Sequence, residues 1–203
     1  MKQVILVRHG QSEYMAAGLK DGWTDSPLSE FGRKQAILTG KRLALSLKGP
    51  FHFYCSDLAR AKETAEIIGG ILLQKPGAMF SLREQNTGCV AHLTVEEAEK
   101  MRLPVTVPFQ DWIPFPGAES RQMMYNRVVT CISQIEADTV LLVVHQMTAV
   151  SIIVWWLELK DVLSKIFFEI DPCSITELRT HRWGEKTISR LNDTAHLESL
   201  AEE

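Results

Sequence analysis

The pair Arg8-His9 places a fixed positive charge for an anion beside an imidazole that could act as a nucleophile. It directly follows the apolar run Val4–Val7, which predicts a short buried strand. In open α/β sheets, ligands bind in the crevice outside the carboxyl ends of the strands. We therefore expect Arg8 and His9 at the edge of a ligand crevice, with Gly10 allowing a sharp turn of the backbone.

A second imidazole also follows an apolar run, because Val140–Val144 is succeeded by His145. If both runs are strands of one parallel sheet, His9 and His145 can face the same crevice despite their distance in sequence. Arg60 lies in the first turn of a helix predicted after Ser56-Asp57. Side chains tilt toward the amino end of a helix, so Arg60 should lean over the strand ends.

Together these side chains could transfer a phosphoryl group to a histidine. Arginine binds phosphoryl oxygens in a bidentate manner, and an imidazole with a pKa of about 6.5 is largely neutral and nucleophilic near pH 7. Arg8, Arg60 and His145 would neutralise charge as the ester bond breaks. Glu84, after the third predicted strand, could protonate the leaving oxygen and then activate water. The scheme requires neither a metal nor a cofactor.

The positioning elements are predicted from hydrophobic periodicity and capping residues, with Gly69-Gly70 expected to end the second helix. Strands are predicted at 4–7, 51–55, 79–82, 140–144, 174–181 and 187–191. Helices are predicted at 29–47, 58–68, from 94, at 117–137 and after 145, and the tail from 198 is expected to be loose. Strands alternating with helices indicate an α/β fold, a three-layer αβα sandwich with a mostly parallel central sheet.

The stretch Leu103–Pro116 differs from its surroundings, because it holds four prolines with three aromatic residues among them. That proline density excludes a helix or a central strand. We interpret residues 103–117 as a lid loop of a single domain spanning 1–203, with Trp112 or Phe115 contacting an apolar leaving group. The alternative is a packed surface loop.

Composition narrows the classes of partner. The 203 residues carry a formal net charge of −3, which disfavours a nucleic-acid-binding surface. The longest apolar stretch, Ala149–Leu157, is far shorter than the roughly 20 residues that span a bilayer. With no apparent leader and no C-x-x-C pair, we expect a soluble cytoplasmic protein without a zinc knuckle, whose partner is a small-molecule phosphate ester. A homodimer is left open.

Several segments, in this order along the chain, resemble the histidine phosphatase superfamily, the phosphoglycerate-mutase-like enzymes. The matching segments are Val7–Glu13; Gly22, Asp25, Pro27–Ser29, Gly32 and Gln35-Ala36; Ser56–Ala61 with Thr64-Ala65; Leu82–Glu84 with Gly88; Pro116–Ser120; Val143–His145; and Leu191–Asp193 with His196-Leu197. The resemblance implies that His9 becomes the phosphohistidine and that Glu84 donates the proton. It also implies that Arg8, Arg60 and His145 bind the phosphoryl group.

Three departures from the family pattern bear on substrate identity. Met15 stands where the family often has Asn, Gln146 where it usually has Gly, and Val90–His92 replaces an aromatic-acidic-glycine run. Gln146 adds a bulky amide at the pocket edge and is a candidate substrate contact. Gln11 and Ser12 either bind the phosphoryl group or cap the loop, and the sequence leaves both interpretations open.

Members of the family that are mutases carry longer insertions after the acid/base segment, with basic residues that hold a second acidic group. Here Cys89–Thr94 is nearly uncharged. We therefore predict a metal-independent phosphomonoester hydrolase acting on a small phosphorylated metabolite. The alternatives are a cofactor-dependent phosphoglycerate mutase and, in another class, a regulatory module that binds a phosphorylated ligand without turnover.

Each site residue also has a plainer interpretation. His9 and His145 could be hydrogen-bonded core histidines or metal ligands together with Glu13 or Glu84. Arg60 could form a surface salt bridge with Glu63 or Asp57, and Glu84 could be a solvated loop carboxylate.

Overall fold

A computed structural model describes residues 1–160 and 163–200. Its centre is one six-stranded sheet with the strand order β3-β2-β4-β1-β5-β6. The strands are β1 Gln3–Arg8, β2 His52–Ser56, β3 Gly77–Met79, β4 Thr139–Val144, β5 Ile175–Thr180 and β6 Lys186–Asp193. The α-helices are α1 Glu13–Ala16, α2 Glu30–Ser46, α3 Ala59–Leu72, α4 Val95–Glu99, α5 Arg121–Ile132 and α6 Gln146–Trp156. Short 3₁₀ segments lie at Phe80–Leu82, Gly88–Val90, Phe109–Asp111 and Ala195–Leu200.

The sheet is mixed but mostly parallel, which confirms the predicted fold class. Strands β1 to β4 pair in parallel, whereas β5 runs antiparallel to β1 and β6 antiparallel to β5. Side chains alternate between the two faces of β1 because successive strand residues point in opposite directions. Val4 and Leu6 pack into a core with α5 and α6, whereas Ile5 and Val7 pack into a second core with α2 and α3. Helices therefore cover both faces of the sheet.

The register between β1 and β4 brings the two predicted imidazoles together. Arg8 is paired with Val144, and the backbone N–H of His9 donates to the Val144 carbonyl over 2.9 Å. His9 and His145 consequently leave the ends of adjacent parallel strands side by side.

Gly10 is required for a reason other than the predicted turn. It does not adopt a positive φ. A Cβ on Gly10 would lie 2.6 Å from the carbonyl oxygen of Gly32, and a Cβ on Gly32 would lie 2.1 Å from the carbonyl oxygen of Gln11. The strand end and the first turn of α2 therefore approach so closely that neither glycine can carry a side chain.

The predicted bounds of α3 are wrong at both ends. Leu58 occupies the N-cap without a side-chain hydrogen bond, in place of Ser56-Asp57. The helix also continues through Gly69-Gly70 to Leu72, and Leu73 forms its C-cap with a φ of 55°. A Cβ on Gly69 would lie 2.5 Å from the carbonyl oxygen of Gln74, so this glycine permits the returning chain to pack closely and does not end the helix.

Two further boundaries differ from prediction. Strand β3 ends at Met79, because Phe80–Leu82 turn into a 3₁₀ segment where a strand was expected. Helix α5 starts after Ser120, whose side chain accepts the N–H of Met123, and it ends at Ile132. The predicted caps at Ser29 and Thr94 are confirmed, the latter as a complete capping box.

The tail expected to be loose from residue 198 is a 3₁₀ segment through Leu200, and 201–203 lie outside the described residues. Across 1–160 and 163–200, none of the helices has the length and apolarity needed to cross a membrane.

Candidate active site

His9 is buried in the state that a nucleophile requires. Its Nδ1 lies 2.7 Å from the carbonyl oxygen of Gly10. A carbonyl only accepts hydrogen bonds, so we assign the ring proton to Nδ1 and the lone pair to Nε2. Burial and, in smaller part, the charges of Arg60 and Arg8 hold the pKa of His9 well below its usual range. The imidazole is therefore neutral at pH 7.

Arg60 is fully buried, which contradicts the interpretation of it as a surface salt-bridge residue. Its Nη1 and Nη2 donate to the carbonyls of Thr24 and Gly22 over 3.0 and 2.8 Å. Its Nε lies 3.3 Å from His9 Nε2 and 3.6 Å from the Asp21 carboxylate. The guanidinium is thus fixed beside Nε2 of His9, where it could bind a negatively charged oxygen of a ligand.

Arg8 extends from the end of β1 and is oriented by Gln146. Arg8 Nη1 donates to Gln146 Oε1 over 2.9 Å and to the Ile170 carbonyl over 2.6 Å. The amide nitrogen of Gln146 donates in turn to the Phe168 carbonyl over 2.7 Å. Gln146 lines the cavity as predicted, but both ends of its amide are engaged by the protein, so it positions Arg8.

His145 stands at the N-cap of α6 and is completely buried. Neither of its ring nitrogens has a hydrogen-bond partner among the described residues. Its ring centroid lies 4.9 Å from that of His9 in an edge-to-face arrangement. Leaving a buried polar group unpaired costs about 1–3 kcal/mol, a cost that a ligand oxygen accepting from this imidazole would remove.

Glu84 completes the group of candidate catalytic residues. Its two carboxylate oxygens accept the N–H groups of Gln85 and Met147 over 2.7 and 3.2 Å. Burial raises the pKa of Glu84 despite these hydrogen bonds and the nearby cations. The shift favours the protonated form, as a general acid requires.

The segment around Glu84 is held by an ion pair that the sequence analysis missed. Arg127 makes a bidentate pair with Glu119 over 2.8 and 2.9 Å and also donates to the carbonyls of Ser81, Arg83 and Glu84. Glu119 additionally accepts the N–H of Asn86 over 3.0 Å. The indole N–H of Trp23 donates to the Glu84 carbonyl over 2.6 Å. Glu119 lies in a segment recognised in the sequence, but no local signal links it to Arg127.

Gln11 and Ser12 do not line the cavity next to His9. Ser12 is buried, donates to Asp21 over 2.7 Å and accepts the N–H of Met15 at the start of α1. The side-chain oxygen of Gln11 accepts from the Ser29 hydroxyl over 2.8 Å. Both side chains hold the loop, which favours the capping interpretation over phosphoryl binding.

The cavity beside His9 has a volume of about 260 Å³ and collects five of the eight predicted site residues. Its lining includes Arg8, His9, Arg60, Glu84 and Gln146, together with Met15, Leu19, Lys20, Asp21, Gly22, Gln85, Thr87 and Met147. His145 is absent from this lining, but its ring centroid lies 4.9 Å from that of His9. Within the described ranges, no group of three or more His, Cys, Asp or Glu side chains is arranged to hold a metal ion.

A second cavity of about 240 Å³ adjoins the first and shares Lys20, Gln85 and Thr87 with it. Trp112 and Phe115 of the proposed lid loop line it, as does Phe109. Trp112 is buried, with its ring 5.3 Å from that of Phe109 and its indole N–H donating to the Pro104 carbonyl. Whether residues 103–117 act as a lid stays a prediction.

Comparison with known proteins agrees with this geometry at the level of the family. The model of the histidine phosphatase superfamily, branch 1, matches residues 4–194. The chain belongs to this superfamily. A probable phosphoglycerate mutase GpmB of Salmonella typhi is 37% identical over 153 residues, which cover 71% of this chain and 70% of that protein.

Solved structures of histidine phosphatase superfamily members share the fold. A mycobacterial glucosyl-3-phosphoglycerate phosphatase has a TM-score of 0.80 at 22% identity, covering 96% of this chain and all of that chain. Bacillus stearothermophilus YhfR has a TM-score of 0.77 at 26% identity, with 97% and 100% covered. An Entamoeba histolytica phosphoserine phosphatase has a TM-score of 0.75 at 23% identity, also with 97% and 100% covered. The predicted family is confirmed, while the relatives differ in the activity for which they are named.

Proposed function

We propose that this histidine phosphatase superfamily enzyme is a metal-independent phosphomonoester hydrolase with His9 as its nucleophile. The observation that carries the proposal is the neutral, buried His9, whose Nε2 lone pair lies beside Arg60. The adjacent His145 has no hydrogen-bond partner for its ring nitrogens in the part of the chain that the structure describes. Arg8 and Arg60 bind the phosphoryl oxygens, and His145 donates a hydrogen bond to them.

In the first half-reaction, His9 Nε2 attacks phosphorus and the bond from phosphorus to the ester oxygen breaks. The electron pair stays on the leaving oxygen, which takes the proton of Glu84. In the second half-reaction, the Glu84 carboxylate accepts a proton from water as the water oxygen attacks phosphorus. The phosphorus–nitrogen bond breaks, its electron pair returns to Nε2, and inorganic phosphate leaves.

A phosphoglycerate mutase is the second candidate, favoured by the name of the 37% identical relative. In a mutase the phosphohistidine returns its phosphoryl group to a bound organic acceptor, whereas in a hydrolase water takes it. Both activities use the same residues, so the products must decide between them. A module that binds a phosphorylated ligand without turnover is the third candidate.

The test follows the products formed from 3-phosphoglycerate and 4-nitrophenyl phosphate by ³¹P NMR in the presence of EDTA. Samples quenched with acid or with base are also analysed for a phosphorylated form of the protein. We expect free phosphate from both esters and an acid-labile, base-stable adduct. His9→Ala should abolish the adduct and lower kcat/KM by at least about 10³-fold, because the nucleophile is lost. His92→Ala is the matched control, because His92 is an exposed histidine beside Tyr14 that lines neither cavity.

Accumulation of 2-phosphoglycerate without free phosphate would establish the mutase instead. Binding of phosphate esters without turnover would establish the regulatory module. Turnover that EDTA abolishes would contradict metal-independent chemistry.

A further inference from the structure

Glu84 is held by its backbone as well as by its carboxylate. The Glu84 carbonyl accepts two side-chain hydrogen bonds, from the indole N–H of Trp23 over 2.6 Å and from Nη2 of Arg127 over 3.2 Å. A carboxylic acid protonates a leaving oxygen only from within hydrogen-bond reach of it, so the position of this backbone sets the position of the proton. The shorter of the two bonds comes from a segment that also holds Arg60.

The segment that carries Trp23 is docked on the first turn of α3. Arg60 Nη2 donates to the Gly22 carbonyl over 2.8 Å, and its Nη1 donates to the Thr24 carbonyl over 3.0 Å. These two carbonyls belong to the residues on either side of Trp23. One short segment therefore contacts Arg60 through its backbone and Glu84 through its indole.

Three side chains fix the indole ring of Trp23. The guanidinium of Arg83 lies 5.3 Å from the ring and that of Arg127 lies 5.6 Å from it, at the separations of cation–π contacts. The ring of Phe80 meets the indole edge-on, with 5.2 Å between the centroids. Both guanidiniums also form bidentate pairs with carboxylates. The indole N–H is thus presented to the Glu84 carbonyl from a ring that its neighbours hold in place.

Trp23 acts from outside the cavity beside His9. Its side chain is half-buried, and it is not among the residues that line this cavity or the second one. An ester bound at His9 therefore meets the groups that Trp23 holds and not Trp23 itself.

We propose that Trp23 is a positioning residue for the proton donor Glu84, and that it couples Glu84 to Arg60. Because one segment contacts both side chains, the alignment of the carboxyl group with the leaving oxygen depends on the same backbone that fixes the guanidinium. The inference rests on the proposed hydrolysis at His9 and adds to it a residue that acts on protonation of the leaving group alone.

The first test compares two kinds of ester with Trp23→Phe, which removes the indole N–H and keeps an aromatic ring. We expect kcat/KM for alkyl phosphates to fall by at least about tenfold, because their leaving oxygen needs the proton of Glu84. For 4-nitrophenyl phosphate, whose leaving group needs little protonation, the loss should stay within about threefold. Equal losses for both esters would mean a general structural effect and would overturn the proposal, as would an unchanged value for alkyl phosphates.

Trp183→Phe is the matched control. Trp183 is an exposed tryptophan between β5 and β6, and it lines neither cavity. The same substitution at this position should leave kcat/KM for both esters unchanged. A loss that matches that of Trp23→Phe would overturn the assignment to Trp23.

The second test places Trp23→Phe in the Glu84→Gln background. If Trp23 acts through the carboxyl group of Glu84, its replacement should change kcat/KM for alkyl phosphates by less than about twofold once that carboxyl group is gone. A loss as large as that in the wild-type background would show that Trp23 acts by another route and would overturn the proposal.

A ¹³C NMR titration of the Glu84 carboxyl carbon separates this proposal from the one on which it rests, because it requires no turnover. Glu84→Gln identifies the resonance. We expect Trp23→Phe to lower the pKa of Glu84 toward its ordinary value, because a loosened segment admits water to a carboxyl group whose pKa burial raises. An equal or higher pKa in Trp23→Phe overturns the positioning role.

The outcomes are then distinguishable. If the esters are hydrolysed and Trp23→Phe shows no dependence on the leaving group, the positioning role fails while the hydrolase stands. If no ester is hydrolysed, the hydrolase fails, and the titration still decides whether Trp23 holds Glu84.

Discussion

The cavity beside His9 and the second cavity, which shares Lys20, Gln85 and Thr87 with it, are built from different kinds of structure. His9 and His145 leave the ends of adjacent parallel strands, and Arg60 is buried with all its nitrogens engaged. Lys20 and Arg121, by contrast, come from loop and helix-start positions and lie beside the rings of Phe115 and Phe109. The cavity beside His9 is built on strand ends and on internal hydrogen bonds that fix Arg60. The second cavity depends on how loop and helix-start segments pack against one another.

Among the predictions that test the cavity beside His9, the largest loss of kcat/KM is expected for Glu84→Gln. The amide cannot donate a proton as a carboxylic acid does, so kcat/KM for alkyl phosphates should fall by about 10³-fold. For 4-nitrophenyl phosphate, whose leaving group needs little protonation, the loss should be less than about tenfold. A series of esters graded by leaving-group pKa measures the difference. A uniform loss across the series would show that Glu84 is not the proton donor.

The pH dependence of kcat/KM provides a second test of the pocket. His9 must be neutral, so activity is lost as pH falls through its pKa, which burial and the arginines lower. Glu84 must be protonated, so activity is lost as pH rises through its pKa, which burial raises. We expect the acid limb below pH 6.5 and an alkaline limb that Glu84→Gln removes.

Both pH profiles must be measured with the same ester. Ionisation of the substrate then contributes equally to the profiles of the wild type and of Glu84→Gln. An alkaline limb at the same pH in both proteins would therefore assign it to the substrate and not to Glu84.

The smallest effect is expected for Gln146→Ala. Arg8 would lose the acceptor at 2.9 Å that orients it, and kcat/KM should fall by about tenfold to the same extent for every ester. Gln122→Ala, on the exposed side of α5, should have no effect. Losses that vary with the organic part of the ester would instead indicate that Gln146 contacts the substrate and contributes to its selection.

The sequence sufficed to predict that His9, His145 and Arg60 lie close together, because the signals for their placement are local. The apolar runs before His9 and His145 are compact signals, and the topology of a parallel sheet then places both residues at one edge. Arg60 follows from the tilt of side chains near a helix start. The burial of Arg60 and the engagement of the Gln146 amide depend on loops whose course no periodicity predicts.

The second cavity could not be predicted in the same way. Lys20, Arg102 and Arg121 lie on separate segments, and only tertiary packing brings them together. The Glu119–Arg127 ion pair, which supports the segment around Glu84, could not be predicted for the same reason. The glycine pair Gly69-Gly70 led to a wrong helix end, because glycine commonly ends helices. In α3 Gly69 instead permits close packing of the returning chain.

The contact between Gly10 and Gly32 has one more consequence. With a backbone oxygen within 2.6 Å of where either Cβ would stand, the loop that carries His9 has no clearance from α2. Helix α2 in turn packs along α3, which carries Arg60. The positions of His9 and Arg60 are therefore coupled through α2. Substitutions on the outer face of α2 that displace this helix are therefore expected to shift His9 and Arg60 relative to each other, although these positions contact neither residue.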